Sequence, residues 1–282
     1  MADCWYNFFV NIVKAQVFPI FLTFITFIFI SLFLILFVRL LNLVPLPDKI
    51  LVELRPRDIL VGLTIYLKVS IDFAIFMGNL IKNNPGWKNR VSIELGTSLG
   101  NAIGTVLILT IWFFFKSVDF LLATMIIVAS LVLLKMAQEG IEDFLEIYQT
   151  HVLSRPIARV GAILAAVNRL TYPVLSKIIP EGKLLGKGGM TFFRLLGFSL
   201  TVPFILGLDD FAGYIPLFSI VNVVSFSIGV FLAHMILTAS IFISPKRTVQ
   251  IVEKPIIILL GSSAFIIIAI YGFYEVVKIL IR

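Results

Sequence analysis

The sequence predicts an all-α polytopic membrane protein of about seven transmembrane helices, built as one N-terminal anchor helix plus an inverted repeat of two three-helix units. Three observations predict it. Of the 282 residues, 60% are hydrophobic and only 14% charged, against about 45–50% apolar and 25% charged in soluble domains. The apolar runs are continuous over roughly 20 residues, the length of a spanning helix, and lack the period-two alternation of barrel strands. Finally, two stretches with Asp-Phe-Ala in common set the two halves of the chain in phase.

Residues 1–57 form the first unit: a short polar segment, an apolar run over 17–41, and a loop with Pro45, Pro47 and Pro56. The run exceeds the h-region of a secretory signal, and no small-residue cleavage site follows it. It is expected to remain as an anchor. With no charge before Arg39, it offers no site.

Residues 58–137 form the first repeat. Its opening span, 58–81, carries Lys68 and Asp72 at i,i+4, which on one helix places both on the same face. Either Lys68 neutralises Asp72 so that the helix can insert, or Asp72 is a ligand that Lys68 tunes. A basic Pro-Gly turn at 82–90 leads to the second span, 91–115, where Gly96, Gly100 and Gly104 recur every fourth residue. Small residues at that spacing let two helices approach closely. Glu94 and Asn101 need another explanation. At about 1.5 Å per residue from the shared turn, Asn101 lies level with Asp72 as a ligand candidate. Glu94 lies nearer the membrane surface, as an entrance acid. The third span, 118–137, has no charge between Asp119 at its start and Lys135.

Residues 138–191 read as an amphipathic cytoplasmic linker. Glu139, Glu142, Asp143 and Glu146 mark a solvated helix face, and Arg159 and Arg169 a second amphipathic helix suited to the membrane surface. The glycine-rich 182–189 lacks the Gly-Lys-Ser/Thr ending of a phosphate loop.

Residues 192–282 form the second repeat, and its first span is the most informative stretch in the chain. It reads SLTVPFILGLDDFAGYIPLFS over 199–219. A carboxylate at mid-membrane is unfavourable by about 2.5–3.5 kcal/mol on insertion scales, and here Asp209 and Asp210 are adjacent. Pro203, Gly207, Gly213 and Pro216 around them predict a kinked or interrupted helix, whose freed carbonyls join acids as cation ligands in transporters. A kinked packing helix whose acids pair with a buried Lys is the plainer alternative. The next span, 220–244, carries Asn222 and a mid-depth His234, which is either a hydrogen-bonded packing residue or a candidate proton or metal group. The last, 255–280, is free of charge until Glu275.

Asp72-Phe73-Ala74 aligns with Asp210-Phe211-Ala212, and Ile103-Gly104 with Ile228-Gly229. Because each copy has three spans, consecutive copies insert with opposite topology. Lys14, the 82–90 turn, the linker bases, Lys246, Arg247 and Lys254 fall on one side of that topology. By the positive-inside rule this side, with the N-terminus and linker, is cytoplasmic in the plasma (inner) membrane. The net charge of +7 therefore serves orientation and the lipid bilayer rather than nucleic acid. The single Cys4 and the two histidines, His151 and His234, give no support to an enzyme.

With these residues in view, GLDDFAGYIPLFS (207–219) resembles the acid-bearing helix of the second half in cadmium-resistance transporters of the lysine-exporter superfamily. The first-half SIDFAIFMGNLI (70–81) and IELGTSLGN (93–101) are similar to the family's first acid helix and glycine-containing second helix. The tellurium-resistance and manganese or calcium exporter families share the plan. The resemblance covers roughly residues 58–281 without the linker; the extra first helix, the single first-half Asp and Lys68 depart from it. It implies export of a divalent cation, as substrate and with no resident cofactor, through a midplane site at Asp72, Asp209 and Asp210, with Asn101 beside them. Proton exchange on a buried acid would release the ion. The alternatives are export of a basic amino acid or other organic cation, and a non-transporting membrane scaffold.

Overall fold

The computed structural model describes residues 17–46, 49–148, 154–178, 189–218, 220–252 and 254–281, without the side chains of 69, 71, 72, 147, 174–178, 205–212, 249 and 252. Every regular element among them is helical: α1 (Phe18–Leu41), α2 (Pro56–Val69), α3 (Ile71–Asn83), α4 (Trp87–Phe115), α5 (Asp119–Ile147), α6 (Ser154–Ile178), α7 (Phe192–Gly213), α8 (Ile215–Phe218), α9 (Val223–Ile243), α10 (Pro245–Val252) and α11 (Pro255–Ile281). Proline at the first turn, where its missing N–H is no loss, opens α1 and α2, and likewise α10 and α11.

Five of these helices, α1, α4, α5, α9 and α11, are long and apolar enough to cross a membrane. The expected span over 58–81 is not one helix. It is the pair α2 and α3, bent by 62° across a break at Ser70, and counted as one span it makes a sixth. No proline or glycine marks the break, so the hydropathy pattern runs through it unseen. The region expected as a further span is α7, continuous through Pro203 and Gly207, then a turn at Tyr214 and the short α8.

In a bilayer, helices gain little from hiding apolar surface, so close contact depends on small residues. Three pairings show this. A methyl added at Gly62 of α2 would lie 2.1 Å from the Phe226 carbonyl oxygen of α9, and one at Gly229 2.1 Å from that of Ile59. Asp58 meets Asn222 at the starts of these two helices and Tyr66 meets His234 further on, so α2 and α9 run parallel. Likewise Gly96 faces Leu196 and Ser199, and Gly100 faces Leu200 and Pro203, which makes α4 and α7 parallel. Gly140 lies against Ser262, and Gly272 against Ser130 and Ile126, so α5 and α11 are antiparallel.

Two expectations for the flanking segments change. The acidic helix placed in the linker is the end of α5, whose 29 residues run to about 43 Å. Helix α6 packs antiparallel on that extension: Asn168 hydrogen-bonds Gln138 and Leu164 is buried with Ile141. Helix α1 is more than an anchor. Its Thr23, Thr26, Ile30, Leu34 and Val38 are buried against α4 and α9 while Phe21, Phe24 and Ile28 face outward.

At one end of the bundle Arg90 donates to the Phe242 carbonyl and Ser92 to that of Phe192. At the other, the Asn222 side chain caps α9 by accepting from Ser225 N–H and holds the incoming loop through the Leu51 carbonyl.

Candidate functional site

Helix α4 carries a file of buried polar residues, Glu94, Ser98, Asn101 and Thr105, spaced so that they share one face. Glycines 96 and 100 seat the α7 backbone beside this file, and α1 covers its Glu94 end. Glu94 is 0% exposed. Its Oε1 lies 2.7 Å from both Thr26 Oγ1 of α1 and Ser98 Oγ one turn on. Oε2 has no hydrogen-bond partner among the described residues, and neither has Asn101 Nδ2 or Thr105 Oγ1. A buried polar atom left in this way is a place where a ligand, ion or water completes the bonding.

From α7, Ser199 adds a buried hydroxyl that is likewise unpartnered among the described residues. Pro203, with no N–H, also deprives the Ser199 carbonyl of its i+4 donor. Of the break residues read from the sequence, Pro203 and Gly207 thus lie inside a continuous helix. Gly213 and Pro216 flank the true interruption at Tyr214.

A second polar group stands at the α2–α3 break. His234 is buried; its Nδ1 and Tyr66 Oη share a hydrogen bond of 2.6 Å, and Nε2 has no partner among the described residues. The rings of Tyr66 and Phe73 lie 5.8 and 5.5 Å from the imidazole. His234 is the twelfth of the 21 residues of α9, so this aromatic cluster and the break sit at mid-length.

Asp72 is the second residue of α3, just past the break, and Asp209 and Asp210 lie six and seven residues past Pro203 in α7. The side chains of all three, and Gly207, fall outside the described set. Lys68 and Asp72 stand on either side of the break, on helices of different direction, rather than one turn apart on a single helix. Lys68 lays its alkyl chain over Gly261 of α11 and lines an apolar cavity of about 400 Å³. Glu94, expected at an entrance, is wholly enclosed. Among the described residues no three His, Cys, Asp or Glu cluster as a metal site.

Sequence reasoning missed Thr26, Ser98 and Tyr66. The hydroxyls at Thr23 and Thr26, one helical turn apart in an otherwise apolar run, were the available signal. No protein-family model, curated protein or solved structure matches the chain.

Proposed function

We propose that the protein is a secondary transporter that exports a divalent cation, in exchange for protons, through an acidic site at mid-membrane. The observation that carries this reading is the helix break at Ser70. It stands two residues before Asp72, at the depth of His234, in a helix that otherwise spans. Broken helices place backbone carbonyls beside carboxylates where a desolvated ion needs oxygen ligands. Asp72, Asp209 and Asp210 are the proposed ligands, with Asn101 and Glu94 along the same route.

The pairing of helices supports an inverted repeat. Exchange α2–α3, α4 and α5 for α7, α9 and α11, and the contacts map onto themselves: α2 with α9 becomes α7 with α4, and α5 with α11 is its own counterpart. The parallel and antiparallel senses agree with opposite insertion of the halves. On this reading the chain has seven spans, is a relative of the lysine-exporter superfamily, and keeps its N-terminus and linker in the cytoplasm.

The aromatic cluster of Tyr66, Phe73 and His234 favours one second reading, export of a basic amino acid or other organic cation, because aromatic faces attract ammonium groups. Flux in proteoliposomes separates the two. Under an imposed pH gradient, one of Mn, Cd, Ca, Mg or Zn should move, and Asp210→Asn should abolish it. Transport of lysine that no metal competes with would transfer the site to the organic cation. Metal flux unchanged in Asp210→Asn would reject Asp210 as a ligand of the site, and flux of neither metal nor lysine from folded protein would sink both readings.

A further inference from the structure

At the end of the bundle where α3 gives way to α4, a cavity of about 660 Å³ opens between α3, α4 and α10. That volume is within the range of small-ligand sites. Its walls carry Lys82, Arg90 and Lys246 together with the amides of Asn79 and Gln250, and among the described residues no acid lines it. Arg90 is held in place: Nη1 donates to the Phe242 carbonyl at 3.1 Å and the guanidinium stands 5.9 Å from that residue's ring. Among the described residues, neither Lys82 nor Lys246 forms an ion pair. The Pro85-Gly86 turn also lines it; Gly86 has φ 105°, and a methyl added there would meet nothing within 4 Å.

A second observation sets the depth. Trp87, partly exposed, packs edge-on to Phe18 with Lys88 over its ring. An amphipathic indole flanked by lysine is characteristic of the headgroup layer. Three basic residues lining one concave site at that level fit a phosphoryl anion, to whose oxygens a guanidinium and ammonium groups can donate.

We infer that this cavity binds the phosphate of an anionic phospholipid, a site independent of whatever ion or solute the bundle carries. The amide groups of Asn79 and Gln250 provide donors for a glycerol headgroup.

The test is native mass spectrometry of the delipidated full chain in detergent, titrated with phosphatidylglycerol or phosphatidylcholine, then with millimolar inorganic phosphate. The wild type should retain phosphatidylglycerol several-fold better than phosphatidylcholine. Lys82→Gln/Lys246→Gln, which leaves the Arg90 anchor intact, should bind it roughly tenfold to thirtyfold more weakly. Displacement by inorganic phosphate would mean that the phosphoryl group alone is recognised, and resistance to it that the lipid glycerol and chains contribute. Equal retention of the two lipids by wild type would overturn the inference. So would undiminished phosphatidylglycerol binding by a double variant that elutes as a monodisperse, folded protein.

Discussion

Glu94 is the residue on which most of the buried polar chemistry converges. Thr26 has one hydroxyl hydrogen and two acceptors in reach, Glu94 Oε1 at 2.7 Å and its own helix's Thr23 carbonyl at 3.0 Å. The shorter contact ties α1 to α4. Thr26→Val keeps the shape and removes the hydroxyl, so it should lower stability by about 0.5–2 kcal/mol, the range for such bonds between membrane helices. Thr26→Ser should recover most of that loss in reversible unfolding from mixed micelles. If the bond is the cause, Thr26→Val on a Glu94→Leu background, where the acceptor on α4 is gone and only the Thr23 carbonyl remains, should have a clearly smaller effect. Full additivity would show that Thr26 acts by packing alone. The acid was legible because a charge in an apolar run is conspicuous. Its partner was not, because a threonine in such a run ordinarily bonds back to its own helix, and nothing in one sequence reveals that α1 lies across α4.

At the scale of helices, the glycines divide by what each one touches. Gly62 and Gly229 face backbone carbonyls that cannot move aside, so Gly229→Ala should push α2 and α9 apart and lower stability by about 1–3 kcal/mol. At Gly261 the nearest atoms belong to the flexible chain of Lys68. Gly261→Ala should therefore be tolerated with less than half that loss, Lys68 swinging into the adjoining cavity. Gly197 has open space around it, and its replacement by Ala should be neutral or stabilise by up to about 1 kcal/mol through helix propensity. Thermal unfolding of the three variants in one detergent checks the order. An equal loss at Gly197 and Gly229 would discredit the close-approach argument. The glycine file at 96 and 100 was readable beforehand, since spacing of four is itself an interface pattern. The break points were not. Pro203 predicts an interruption, yet the helix runs through it where it packs on Gly100, whereas Ser70 interrupts the α2–α3 pair without any sequence mark.

At the scale of the molecule, the sidedness of the chain is the property that the repeat and the charges jointly predict. Ring contacts link Trp112 to Phe218 and Phe218 to Phe226, which brings the end of α4, α8 and the start of α9 to one end of the bundle. The loop at Leu51–Arg55 is tied to the same end through Ser225 and Asn222. Lys82, Arg90 and Lys246 gather at the other. The hydropathy of the sequence predicts about seven crossings and, by alternation, which turns share a side; these contacts bring turns to shared ends independently of that count. Single cysteines in a Cys4→Ser background test the arrangement with a membrane-impermeant maleimide. Lys88→Cys and Lys246→Cys should label only in inside-out vesicles, and Glu53→Cys and Ser117→Cys only in right-side-out ones. A complete reversal would leave the two-ended bundle intact and reject the cytoplasmic assignment of its basic end. Mixed labelling within either pair would reject the bundle topology itself, and with it the opposite insertion of the two halves on which a shared midplane site depends.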